Sequence, residues 1–342
     1  WQDRGLEAEV GQRHHQHLRR DHQQPEHHTR REALGPYLGH RAASLLKSTH
    51  PVMNTIKRCQ PLLGTFVEIT LTGSACEEKL HHHAGKALEL IRCVHHMMGY
   101  HDPDSDISRL NHCGHVAPLR VHPWTYNVIE QSVRLSRETE GAFDITVAPR
   151  LVKSGLLPRH GSVSCLAEAG RWEDIQLLGN STVAFRQPLR VDLGGIAKGF
   201  AVDKAVDYLS TLGLPCAIVN AGGDLRVLGQ ADSQVAIRDP RDPHRLGVPA
   251  VMLRPALATS AAYFVRQRSG LSKVSAILHP RTGKPMKSNV SVSVFSRTCI
   301  EADALTKAVL LAPQKLWNSL LTARDSVALL LTNKGEQVIF PA

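Results

Sequence analysis

The chain has 342 residues, 42% of them hydrophobic, which suffices for one large domain or two of ordinary size with a real core. No run approaches the roughly 18 consecutive apolar residues that a membrane-spanning helix requires. The formal charge of +10 is scattered and aromatics make up only 5%, so the basic stripes alternating with stacking rings that mark nucleic-acid binders are missing, and an anionic small molecule accounts for the charge.

Residues 1–52 stand apart from the rest of the chain. They hold eight of the 20 histidines, many Arg and Gln, and no sustained periodicity. The apolar stretch Ala42–Leu46 is too short for the core of a signal peptide. This segment is expected to be a disordered, artefactual or upstream-translated leader, with Met53 opening a folded domain over 53–342. From there Thr65–Leu71 alternates as a strand, and apolar residues at helical spacing predict a helix over Glu77–Met98. Asp102–Asp106 is an acidic turn, and a helix over Pro123–Thr139 leads into Gly141-Ala142-Phe143-Asp144. Strands are predicted at 183–185, 216–220, 224–228, 234–237, 251–258, 274–278 and 291–295, then a helix over Glu301–Leu311 and a closing strand over Val327–Leu331. Helices gather early and strands late, which argues for an α+β fold. The cysteines (Cys59, Cys76, Cys93, Cys113, Cys165, Cys216 and Cys299) are odd in number and dispersed, with no C-x-x-C. They give neither a zinc site nor a disulfide framework, and point to reduced thiols and a cytoplasmic setting.

The run Val191-Asp192-Leu193-Gly194-Gly195-Ile196-Ala197-Lys198-Gly199 carries the strongest chemical signal. A strand ends near Asp192, glycines follow, and a helical pattern begins at Phe200. Such a turn offers backbone N–H groups and a positive helix end to an anion, with Lys198 as an added cation. It reads as a site for a nucleotide diphosphate. Other segments have two readings each. Asn220–Asp224 is a hairpin turn or part of a site. Phe143 is a core ring or a stacking platform. His279–Pro285 is a rigid turn or a cationic edge. Glu301 and Asp303 are helix-end acids or ligands.

Taken in order, Gly64-Thr65, Asp104-Ser105 through Arg109-Leu110-Asn111, Gly141–Asp144, Asp192–Gly199, Asn220–Asp224, Pro280–Gly283 and Ala302–Thr306 resemble the ApbE-type flavin transferases, over about residues 56–342. The resemblance implies a T-fold-like arrangement of mixed and antiparallel sheets with flanking helices. It also implies Mg²⁺-dependent transfer of FMN from FAD to a Thr or Ser hydroxyl of an acceptor flavoprotein, with release of AMP. By that pattern Tyr100, Ala142, Phe143, Asp144, Asp192, Lys198 and Ile277 match flavin-contacting positions. Gly195, Asp303 and Thr306 fall at or beside the metal, Asp303 being its principal carboxylate.

Three positions depart from the pattern. Ala276 stands where the family has its presumed catalytic histidine, leaving His279, on the opposite strand face, as the candidate base. Lys307 replaces the Thr or Ser that helps to ligate the metal; four residues after Asp303 on a helix, it salt-bridges that carboxylate or neutralises a phosphate. Both readings imply reduced Mg²⁺ dependence. Finally, Thr259-Ser260-Ala261-Ala262-Tyr263 lacks the family's carboxylate. Two other functions fit the same cleft: a flavin-binding or flavin-delivering protein without transfer, and an FAD pyrophosphatase giving FMN and AMP.

Overall fold

The computed structural model describes residues 52–159, 170–229, 234–241, 247–261, 265–266, 274–275, 277–286 and 290–341. The expected leader, Cys165, Tyr263 and Ala276 lie outside the described residues. In chain order the elements are β1 (Asn54–Leu62), β2 (Thr65–Gly73), α1 (Glu77–Met98), α2 (Asp106–Cys113), β3 (Leu119–Arg120), α3 (Pro123–Glu138) and α4 (Ala148–Lys153). They continue with β4 (Ile175–Leu177), β5 (Thr182–Phe185), α5 (Ala197–Ser210), β6 (Cys216–Ala221), β7 (Asp224–Gly229), β8 (Gln234–Ile237) and β9 (Val248–Val251). The last are β10 (Ala256–Ala261), β11 (Val265–Arg266), β12 (Val274–Ser275), β13 (Val290–Ser296), α6 (Cys299–Leu311), α7 (Trp317–Thr322), β14 (Val327–Thr332) and β15 (Gln337–Phe340).

An eight-stranded sheet in the order β1-β2-β6-β7-β10-β13-β14-β15 forms the scaffold, and all its pairings are antiparallel. Period-two alternation sorts its side chains between two cores. Val67, Ile69, Leu71, Val219, Val292 and Val294 pack in the larger core with α1, α5 and α6, while Val227, Leu257, Phe295, Leu329 and Leu331 form a smaller one on the opposite face with Ile237 of β8. The mixed helix and antiparallel-sheet architecture is the one expected.

Several boundaries differ for physical reasons. Helix α6 starts two residues before Glu301 because the Asp203 carboxylate of α5 accepts hydrogen bonds from the Cys299 and Ile300 N–H groups at 2.9 and 2.8 Å. A cap supplied by another helix leaves no local sequence signal. Helix α5 begins at Ala197, not Phe200, so Lys198 sits in its first turn. The strand expected over 251–258 is two strands, β9 and β10, in different sheets, with Pro255 just before the second. Over 274–278 only Val274–Ser275 is strand, and Leu278 makes an isolated bridge to Pro285. Eight elements were not anticipated: β1, α2, β3, α4, β4, β11, α7 and β15. β1 is an edge strand whose burial alternates strictly, but its covered face carries Asn54, Arg58 and Gln60 beside Ile56 and Leu62, which hides the alternation in the sequence. α2 is only eight residues long, started by Ser105, whose side chain accepts from the Ser108 N–H.

Candidate active site

The β6–β7 hairpin and helices α5 and α6 converge on a cluster of buried charges. Gly222 and Gly223 adopt φ of +66° and +106°, the left-handed region glycine enters freely. The Gly223 N–H donates to Asn220 Oδ1 at 2.9 Å. The hairpin reading of Asn220–Asp224 therefore holds, and the turn sets the buried Asp224 at the start of β7. Its Oδ2 lies 2.9 Å from Lys198 Nζ.

Gly199 has a different task from phosphate binding. A Cβ at this position would come within 2.2 Å of the Cys299 carbonyl oxygen, so α5 and α6 touch backbone to backbone here. That approach lets the Gly199 N–H donate to Asp303 Oδ2 at 3.1 Å. Asp303 is 0% exposed. Lys198 Nζ stands 3.4 Å from Asp303 Oδ2, while Lys307 Nζ donates to Asp303 Oδ1 and, at 3.0 Å, to the Asp303 carbonyl.

The electrostatics follow from this packing. Burial opposes the charge on Lys198, but Asp224 and Asp303 outweigh it and its pKa rises, so the ammonium stays protonated. Burial pushes the Asp303 carboxyl up, yet Lys198 and Lys307 pull it below the ordinary range. Asp224 has only part of that help; burial and the negative charge of Asp303 raise it.

This cluster closes one end of a cleft of about 770 Å³, within the usual size range of small-molecule sites. Among the residues expected to form the site, Tyr100, Phe143, Asp144, Asp192, Gly195, Lys198, Ile277 and Lys307 all line it. The Gly-rich run is tied in on two sides. Asn111 of α2 clamps Val191 through both main-chain groups, its Nδ2 donating to the carbonyl at 2.9 Å and its Oδ1 accepting from the N–H at 2.7 Å. The Asp192 N–H donates to the Ile145 carbonyl at 2.8 Å, joining this run to Gly141–Asp144. Burial raises the Asp144 carboxyl to about 6 against bonds from Thr146 and Trp172, and raises that of Asp192 to about 6 against the Gly194 N–H and Lys198. His95 and the Leu63–Gly64 turn also line the cleft, with the Leu63 N–H donating to His95 Nδ1 at 3.0 Å; burial lowers the His95 pKa.

Four expected residues are not in the cleft wall. Ala142 is buried, Asp303 lies beneath the two lysines, and the 0% exposed Thr306 hydroxyl is spent on the Asp303 carbonyl at 2.7 Å and Ser260 Oγ at 2.7 Å. His279 holds its own turn: its Nδ1 accepts from the Arg281 and Thr282 N–H groups at 3.2 and 3.4 Å. A neutral imidazole that accepts at Nδ1 carries its proton on Nε2, so this ring offers a donor rather than a base. The neighbouring Arg281 is equally structural, donating to the Glu140 carbonyl and accepting at its own carbonyl from Arg150 at 2.6 Å.

A divalent cation at Asp303 does not fit this donor set. Both carboxylate oxygens and the carbonyl of Asp303 already receive donors, and one of these is the Lys307 ammonium. Gly195 packs against the Lys307 side chain, so the positions expected to hold a metal do meet, but around a nitrogen. Among the described residues no group of three or more His, Cys, Asp or Glu side chains is arranged to hold a metal ion.

Fold and site together define a mixed helix and antiparallel-sheet protein with one cleft lined by Tyr100, Phe143 and two fixed lysines. The sequence pattern of the ApbE family matches residues 63–331. The chain is 28% identical over 263 residues to the FAD:protein FMN transferase of Vibrio cholerae, covering 72% of this chain and 78% of that protein. It is 34% identical over 217 residues to the FAD:protein FMN transferase of Rhodobacter capsulatus, covering 58% of this chain and 40% of the relative. Among solved structures, the flavin transferase ApbE from Vibrio cholerae superposes with a TM-score of 0.71 at 25% identity, over 84% of this chain and 97% of that one. The ApbE protein of Thermotoga maritima shares the fold, with a TM-score of 0.71 at 24% identity over 83% of this chain and 96% of its own. The chain belongs to the ApbE family.

Proposed function

We propose that this chain transfers the FMN half of FAD to a threonine or serine hydroxyl of an acceptor flavoprotein, releasing AMP. The observation that carries the reading is one cleft lined by Tyr100, Phe143 and Ile277 together with Lys198 and Lys307. In this reading the aromatic wall receives the isoalloxazine ring. Lys198 and Lys307 bind the diphosphate, where charge-assisted donors are strongest. The acceptor oxygen attacks the phosphorus on the FMN side, the P–O bond to the AMP phosphate breaks, and the leaving pair stays on AMP. The lysines neutralise that developing charge, as phosphoryl transfer demands. The names of the relatives support flavin transfer from FAD. The magnesium implied by the family resemblance is given no step, because the oxygens of Asp303 are filled.

A second reading has its own support. Ala276 cannot take a proton and His279 presents a donor, so the cleft is better equipped to hold FAD than to activate a hydroxyl. Flavin delivery without transfer and FAD hydrolysis both follow from that deficit. Incubation with FAD and the apo form of an acceptor flavoprotein separates the three. Fluorescent acceptor on a denaturing gel, with AMP in equal amount, supports transfer. AMP with free FMN supports hydrolysis, and intact bound FAD supports delivery.

A further inference from the structure

We propose that the Lys307 ammonium takes the place of a divalent cation beside Asp303, so that the chain binds the FAD diphosphate with two tethered lysines and needs no magnesium to do so. The inference rests on the flavin reading and decides between the two roles the sequence left open for Lys307.

The geometry is that of a liganded cation. Two oxygens of one residue converge on Lys307 Nζ, the Asp303 carbonyl at 3.0 Å and Oδ1. The i, i+4 spacing on α6 places the amine over that carboxylate. The other oxygens of Asp303 and Thr306 are committed: Oδ2 takes the Gly199 N–H and Lys198, and the Thr306 hydroxyl is turned into the core toward Ser260. A divalent ion would have to expel Lys307 or sit beside its positive charge, and Coulomb repulsion in a half-buried site opposes both.

The two lysines are also placed to act on a ligand. Their side chains are 15% and 27% exposed, and both line the cleft. Lys307 has three ammonium protons and spends two on Asp303, leaving one for a phosphate oxygen. Lys198 is anchored on Asp224 at 2.9 Å; its contacts to Asp303 and to the Gly194 carbonyl, at 3.4–3.5 Å, are long enough to yield to a stronger acceptor. Two carboxylates, Asp224 and Asp303, thus hold both amines in place before an anion arrives.

The test is an FAD titration, followed by flavin fluorescence, with the purified chain in chelator and again in excess Mg²⁺. The two affinities are expected to agree within about twofold. Weakening by about tenfold or more in chelator would overturn the inference. Lys307→Met is expected to lose about tenfold or more in affinity under both conditions, and an unchanged affinity would also overturn it. Lys307→Thr is expected to bind FAD well only when Mg²⁺ is added, and to show a calorimetric Mg²⁺-binding signal that the native chain does not give. If both variants fail to fold, the native titration still decides. FAD that binds in neither condition contradicts the flavin reading itself, which is distinct from FAD that binds only with Mg²⁺.

Discussion

The two ends of the cleft are built on opposite principles. At one end Lys198, Asp224, Asp303 and Lys307 are locked by two helices and a hairpin, and every charge has a buried partner. At the other, the Pro280–Gly283 turn is tied by Arg281 to the Glu140 carbonyl and by Arg150 to α4, and His279 is consumed in holding that turn together. Binding chemistry is thus written into the core of the fold. Proton-transfer chemistry would depend on a surface turn and on position 276, where the side chain is a methyl group. A site can keep its ligand while its reaction weakens.

That contrast can be broken or sharpened. Asp303→Ala should have the largest effect, because it strands the Lys307 ammonium and leaves the Gly199 N–H without its acceptor; a loss of about 3–5 kcal/mol in urea-derived stability is expected, together with loss of FAD binding. A loss below about 1 kcal/mol would show that the cluster is not the locked end. Ala276→His should restore the base that the family resemblance implies, raising the transfer rate by roughly a hundredfold while leaving FAD affinity unchanged, as single-turnover and binding assays would show.

Asp192→Asn is expected to stabilise the free protein by about 1–2 kcal/mol at pH 7. The sign follows from its folded pKa of about 6, raised from 3.8 by burial, which makes the native state bind protons more readily than the unfolded one between those values. The penalty is therefore full above about pH 6 and fades as the pH falls toward 4. Thermal unfolding of the variant and the native chain should diverge over that window, and parallel curves would count against it. The smallest effect is expected from His279→Ala, which should cost about 1 kcal/mol from the turn and leave FAD affinity within about twofold. A collapse of transfer with stability unchanged would instead make His279 the base.

Much of this was legible in the sequence. Helix α1 has the predicted bounds because its apolar residues recur without interruption. The cleft residues came from collinear motifs, and Tyr100, Phe143, Asp144, Asp192 and Lys198 do meet. What escaped is what depends on distant partners. Asp224 looked like the end of a turn, yet it anchors Lys198 from another strand. Gly199 looked like part of a phosphate cradle, yet it marks a helix–helix contact with Cys299. Asn111 belonged to a motif without a partner, whereas α2 presents it to Val191, and Asp203 gave no sign that it caps α6. The alternation and spacing of a sequence report local faces. They do not report which buried charge will find which.

The most direct test of the FAD cleft compares FAD, FMN and riboflavin binding to the native chain and to Lys198→Met by equilibrium fluorescence. If the lysine end takes the diphosphate, FAD should bind at least about tenfold more tightly than FMN, and the substitution should erase most of that difference. Equal affinity for all three flavins, or a preference that survives the loss of Lys198, would contradict the account.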